Sequence, residues 1–474
     1  MKRPIIDINP LYAIVILSPA FLYFLCWLLP TFDDWTYFTT PNYDFGDDFT
    51  NRLKPMASYW RPWDALLGYV LSLNHALFPT LNHIVVYLGH LMSTICVFLI
   101  AGQLHFGRAG RHVATLFFFL SPGMLGTVLG IDSANQAYAT AWGLVSILVY
   151  LQADRPINKA AWTACVIMSL LSKENGIVYF VIPPFIAWAF DRQPLRASLR
   201  DLAVSTAFVI LYFCVRTALT TENVDINDDY FDNSIYCKSK NIAVFLGMTW
   251  IPLDFVSLVY PPSRDLFIVT ATFLLGMPLT AAIFLTTRKE WLSRPFLCLT
   301  ACLFIAASPH LLTLFTSMHP YAGLGFASLM LGYLTGKSSR QRLIGRLLLP
   351  FILSSLFTDW HHWQKSYESG LIGQKMGKEA ILKTGKRVER VFIINCETDE
   401  DFYSSFCVTP FKAFAWGYAA IAATDYQWPT FLRDTTINVH DQPSFDPQGI
   451  ADKAIRQGFQ KVWILHGDTV DVIR

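Results

Sequence analysis

Between residues 11 and 357 the chain is a succession of apolar runs separated by short polar connections. A backbone buried in lipid must satisfy every N–H and C=O internally, so such a series folds as a bundle of membrane-crossing helices. Hydrophobic residues make up 53% of the chain and charged residues 15%, whereas soluble chains carry roughly 25% charge. A formal net charge of +2, with no basic blocks, gives no footprint for a nucleic acid. Nine cysteines without a CxxC or a Cys/His cluster indicate neither a disulfide framework nor a zinc site.

The first run, residues 11–29, follows Lys2 and Arg3 and lacks a small-residue cleavage site. It reads as a retained span kinked at Pro19. Further runs cover residues 83–104, 112–130, 135–151, 160–172, 176–190, 202–219, 266–286, 295–313, 321–335 and 343–357. This makes about eleven transmembrane helices. With the N-terminus cytoplasmic, the inner connections hold Arg108 and Arg111, Arg155 and Lys159, Arg192 to Arg200, Arg288 to Arg294, and Lys337 to Arg346. The opposite connections hold Asp33 to Asp48 and Glu222 to Asp232, which is the asymmetry expected of cytoplasmic and outer loops. The apolar segment 241–260 would upset that register if it crossed. With Pro252, Asp254 and the following Pro261-Pro262, it is expected to be a re-entrant or interfacial helix on the outer side. The transmembrane domain is therefore residues 1–357, with a first external loop at 30–64 and another at 220–262.

From residue 358 the apolar runs give way to mixed patterns. Val391 to Asn395 reads as a buried strand, residues 410–423 as a helix, and Asp446-Pro447 as the start of another helix. Residues 461–465 and 469–473 flank His466-Gly467-Asp468 and alternate as a hairpin does. Residues 358–474 are expected to be a small α/β domain outside the cytoplasm.

Three polar segments carry chemistry. The first loop opens with the acidic pair Asp33-Asp34. Next comes Tyr59-Trp60-Arg61-Pro62, an arginine among aromatics. Then Ser172-Lys173-Glu174-Asn175-Gly176 lies between two spans. Each has a plain structural reading as a membrane exit, a snorkelling arginine or a polar turn. Charge at membrane depth costs about 2.5–3.5 kcal/mol on insertion scales, so it tends to be paired or functional. On the orientation above all three face the outer side. One carboxylate able to take a proton, with two cations able to neutralise a phosphate, suits transfer of a sugar from a lipid phosphate to a hydroxyl.

The order of motifs resembles the GT-C superfamily of membrane glycosyltransferases. It comprises the acidic pair, Tyr59-x-Arg61-Pro62, Asn82-His83 with His90, Ser121-Pro122 and the Ser-Lys-Glu-Asn-Gly turn. That superfamily includes protein O-mannosyltransferases and the aminoarabinose transferase of lipid A. The resemblance implies a polyprenyl-phosphate-linked sugar donor, a glycan, lipid or protein acceptor, and membrane lipids as surroundings. It places the catalytic base at Asp33, with Asp34 as the competing choice. It also places Arg61, Lys173 and Glu174 at the donor phosphate and Tyr59 and His83 at the substrate cavity. Relatives with TPR repeats carry a glutamate where this chain has Gly126, and Asp132 is the nearest carboxylate to replace it. A late Arg-Tyr is here His319-Pro320-Tyr321, so a phosphate contact is either lost or moved to His319. No metal or other cofactor is required, although clustered outer acids permit a divalent cation. A bacterial inner membrane with a periplasmic α/β domain is the expected location, with the endoplasmic reticulum as the alternative. A lipid-linked-sugar transporter is the rival reading. It calls for ionisable residues at span centres and for repeated halves.

Other residues have simpler expectations. Residues 222–232 lack the glycine and closing glutamate of a calcium loop. His361-His362 read as interfacial anchors, and Cys396 and Cys407 could bridge, leaving Cys237 alone.

Overall fold

The computed structural model describes residues 10–31, 34, 53–55, 60–77, 81–152, 156–219, 234–259, 264–310, 316–385, 391–396, 435–438 and 446–473. The expected helix at 410–423, the acidic loop 222–232 and Cys407 lie outside them. The helices are α1 (Pro10–Leu25), α2 (Pro62–Leu77), α3 (Asn82–Gln103), α4 (Gly107–Leu120), α5 (Leu125–Val128), α6 (Ala134–Leu151), α7 (Pro156–Ser172) and α8 (Ile182–Ala189). They continue as α9 (Leu195–Leu219), α10 (Ile235–Trp250), α11 (Phe255–Val259), α12 (Leu266–Thr286), α13 (Arg294–Ala307), α14 (Pro320–Lys337), α15 (Gln341–Thr384) and α16 (Pro447–Arg456). Four of them, α3, α9, α12 and α15, are long and apolar enough to cross a membrane by length and composition.

The bundle is built around α14, which is buried from Pro320 to Thr335. Small residues make this possible. A Cβ on Gly110 of α4 would meet Gly332 O at 2.3 Å, and one on Gly336 would meet Phe106 O at 2.0 Å. The two backbones therefore touch directly, the packing that small residues permit between membrane helices. At the other extreme, only 6% of the apolar window in α9 is buried. Its exposed Leu199, Val204, Phe208, Ile210 and Leu211 form a surface suited to lipid.

Two expected spans are interrupted. The run at 112–130 stops at Leu120, where Ser121 caps the 3₁₀ turn Pro122–Met124 before α5 resumes. The run at 176–190 opens as the 3₁₀ segment Glu174–Phe180 and only then becomes α8. Residues 62–77 form a helix that was not expected. The segment 241–260 is α10, an extended bend at 251–254, and the short α11.

The largest departure is α15. The domain boundary expected at residue 358 falls inside this helix, which runs unbroken for 44 residues. Hydropathy drops there while the backbone continues, with side-chain ion pairs Lys365–Glu368 at 2.8 Å and Lys383–Glu379 at 2.7 Å, spaced three and four residues apart.

Beyond α15 lies a four-stranded sheet with strand order β2-β1-β3-β4. Its strands are β1 (Val391–Asn395), β2 (Thr435–Asn438), β3 (Lys461–His466) and β4 (Thr469–Ile473). β1 runs parallel to β2 and β3, and β3–β4 is the antiparallel hairpin read from the sequence. Asp446 caps α16 by accepting from Gln448 N, with Pro447 in the first turn. One face of the sheet, Val391, Ile393, Trp463, Leu465 and Val470, shares a buried cluster with Met376 and Ala380 of α15. Leu71, Val86, Ile131, Ala134 and Ala137 of the helical bundle belong to the same cluster. The other face packs on Ala451 and Ala454 of α16.

Candidate functional site

Ile131, at the bundle end that meets the sheet, is also where the first loop is anchored. Asp34 is 1% exposed. Its Oδ1 accepts from Ile131 N at 2.6 Å and Asp132 N at 3.0 Å, and its Oδ2 accepts from Thr31 N at 3.1 Å. Burial, and then the charge of Asp132, push its carboxyl well above the usual range, against the three N–H donors. The residue thus ties the loop after α1 to the connection between α5 and α6. Asp33 and Tyr59 lie outside the described residues.

The second and third segments meet. The guanidinium of Arg61 clasps Glu174, with Nε donating to both carboxylate oxygens at 2.8 and 2.9 Å and Nη2 to Oε2 at 2.6 Å. The pair is separated by 113 residues in sequence. Burial would raise the Glu174 carboxyl, but the charge and hydrogen bonds of Arg61 outweigh it and hold the group low. Lys173 stands beside them. Its ammonium donates to the thioether of Met318 at 3.3 Å, a weak acceptor. Burial, and then Arg61, bring its pKa down to about 8, while Asp132, Glu174 and Asp64 pull the other way.

The local backbone explains how Lys173 is aimed. Helix α7 ends at Ser172, and a Cβ on Gly176 would sit 2.4 Å from Ser169 C, so the chain turns back against its own helix. Lys173 is extended (φ −157°, ψ 143°), which carries its side chain off the helix face. Asn175 fixes the turn by donating from Nδ2 to Gln136 Oε1 at 2.9 Å, and Nδ2 also lies 3.2 Å from His310 Nε2.

His310 stacks on His319 with ring centroids 4.1 Å apart. Nδ1 of His319 accepts from Thr316 N at 3.2 Å. Burial, then His310 and Lys173, hold His319 well below its usual pKa, so it is neutral. A neutral imidazole can contact a phosphate only as a hydrogen-bond donor. The turn at 316–319 also settles the departure at Gly126. A Cβ there would lie 2.2 Å from Ser317 C and O, leaving no room for a glutamate. Asp132 is close enough to act on both Asp34 and Lys173. Its Oδ1 accepts from Ser133 Oγ at 3.2 Å.

His83 is elsewhere in character. It is fully buried in the first turn of α3, and neither ring nitrogen has a hydrogen-bond partner among the described residues. Sequence reasoning quoted Asn175 only as part of the Lys-Glu turn and missed His310, Gln136 and Met318, which complete the surroundings of Lys173. One signal existed for His310. Ser308-Pro309 ends α13 much as Ser121-Pro122 ends α4, and paired helix breaks within apolar runs mark backbone that lines a cavity.

At the opposite end of the bundle, Asp201 of α9 accepts from Lys159 Nζ at 2.8 Å and Tyr150 OH at 2.8 Å, joining α6, α7 and α9. This polar staple lies among residues expected to face the cytoplasm.

No family model matches the sequence, and no curated protein does. Among solved structures, the chain is similar to the Archaeoglobus fulgidus oligosaccharyltransferase. Against the crystal structure tethered with an acceptor peptide containing the NVT sequon, identity is 12% and the TM-score 0.46, covering 92% of this chain and 65% of that one. Against the apo form the values are 13%, 0.45, 92% and 66%. Against the complex with Zn and sulfate they are 15%, 0.38, 77% and 56%. The chain thus spans less than two thirds of the length of that enzyme in each case.

Proposed function

We propose that this chain is a membrane glycosyltransferase of the GT-C kind. It takes a sugar from a polyprenyl-phosphate donor and passes it to a glycan, lipid or protein acceptor on the outer side of the membrane. The observation that carries the reading is the half-buried cluster of Lys173 beside the Arg61–Glu174 pair, with Asp132 acting on it. Two cations next to held carboxylates suit an anionic phosphate arriving beside a hydroxyl that must lose a proton.

In the proposed step the acceptor oxygen attacks the anomeric carbon. The bond from that carbon to the phosphate oxygen breaks, and the polyprenyl phosphate leaves as an anion, so no general acid is needed. Lys173 and Arg61 stabilise its charge. The acceptor proton passes to a carboxylate, and the single displacement inverts the anomeric centre. Asp34 spends its oxygens on backbone N–H groups, so we assign the base to Asp33, with Asp34 holding the loop. A bacterial inner membrane, with the sheet on the periplasmic side, is the setting of this reading.

The test is transfer by purified protein given an undecaprenyl-phosphate-linked sugar, with an Asp33→Asn, Asp34→Asn double variant alongside. The wild type forms a glycosidic product and the double variant forms none. Retained transfer in the double variant would reject the mechanism. Lipid movement across liposomes with no new glycosidic bond would favour a transporter instead.

A further inference from the structure

We propose that Asp254, His361 and His362 form a binding site for a divalent transition-metal ion of the zinc class, which pins the bend between α10 and α11 to α15. The three groups come from segments 107 residues apart. Their ligand atoms all lie within 4.8 Å of one another.

The donor set and the distances both suit such an ion. Two imidazoles and a carboxylate match zinc and its transition-metal neighbours, whereas calcium and magnesium require oxygen throughout. In a tetrahedral zinc site with bonds of about 2.0–2.1 Å, ligand atoms stand about 3.3 Å apart. Here Asp254 Oδ2 is 2.8 Å from His361 Nδ1 and 3.8 Å from His362 Nδ1. These two distances fall on either side of that separation, and the two imidazoles offer nitrogens within 4.8 Å of each other, so the three groups can close on one ion by side-chain shifts. Hydrogen bonding and metal ligation draw on the same atoms, and the ion takes the place of the proton between His361 Nδ1 and the carboxylate.

The surroundings hold the ligands as a metal site needs. Asp254 is fully buried, and its ion partners among the described residues are these two histidines. A buried carboxylate is costly without a positive charge beside it, and a bound cation supplies one. The second oxygen of Asp254 accepts from Ser257 N at 2.8 Å, and its own N–H donates to Thr272 Oγ1 at 3.3 Å. The hydrogen bonds to Asp254 orient it before a metal arrives. Nδ1 of His362 lies 2.8 Å from Thr358 O, a hydrogen bond that it exchanges for the ion. His361, 12% exposed at its side chain, gives a way in.

The site is separate from the charged turn at Lys173, and it needs neither the glycosyl-transfer reading nor activity to be tested. Full-length protein, stripped with a chelator, is titrated with Co(II) as the probe. One equivalent is expected to produce the visible absorption bands of tetrahedral cobalt, to raise the melting temperature, and to be displaced by Zn(II). Asp254→Asn and His361→Ala each weaken binding by about tenfold or more and remove the bands, while Glu174→Gln keeps them. Absence of the bands in the wild type at excess cobalt overturns the proposal. So do bands that persist in both Asp254→Asn and His361→Ala. The wild-type titration stands on its own should a variant fold poorly.

Discussion

Lys173 sits where a small change in proton concentration changes the charge offered to a phosphate. Its pKa, brought down to about 8 by burial and then by Arg61, means the ammonium is present below that pH and lost as pH rises through it. Donor affinity should therefore fall on the alkaline side. We expect kcat/KM for the lipid donor to decline above about pH 8, and Lys173→Arg, which stays protonated, to move that decline upward. Initial rates measured between about pH 6.5 and 10 with both proteins decide this, and coincident alkaline limbs would count against it. Charge is what made this neighbourhood legible. Arg61, Lys173 and Glu174 stood out because ionised groups are scarce among apolar runs. His310, Gln136 and Met318 gave no comparable signal, since a single polar or sulfur-bearing residue in such a run has no periodicity to betray it. His83, a histidine in a suggestive motif, is buried and its ring has no hydrogen-bond partner among the described residues.

Among the elements, the close approaches carry the most information. Gly126 in α5 lies against the turn at 316–319 so tightly that even one methyl group must displace backbone at 2.2 Å. Gly126→Ala is therefore expected to cost about 1–3 kcal/mol, the usual range for overpacking, seen as a lowered melting temperature in detergent. Unchanged melting would show that the turn yields freely. Helix existence was largely readable from apolar runs, but helix ends were not. Ser121-Pro122 and Gly176 break what hydropathy presents as continuous spans. α2 was overlooked because Asp64, Asn74 and His75 interrupt its apolar pattern. The end of α15 was misplaced for the opposite reason, because a loss of hydropathy reports a change of surroundings and leaves the backbone hydrogen bonds untouched.

At the scale of the whole molecule, the sheet and the helical bundle share one buried cluster. Trp463 is its largest member, fully buried, with Nε1 donating to Thr384 Oγ1 at 3.0 Å. Trp463→Ala should destabilise by about 3–5 kcal/mol. The loss should appear in the melting of the helical bundle as well, because Ile131 and Ala134 line the same cluster. Two separate melting transitions, with only the smaller one shifted, would contradict this coupling. The strands themselves were legible from alternation and capping. Their docking was not, since no local pattern says which apolar faces will meet.

The unbroken course of α15 has one more consequence. Forty-four residues of helix reach about 66 Å, roughly twice the hydrocarbon depth of a bilayer. The strands are synthesised after this mast, and their docking surface includes residues from α2, α3 and α6. That docking surface is complete only when segments far apart in the sequence have gathered. Residue 463 is thus the keystone of a joint whose two sides are made at opposite ends of the chain.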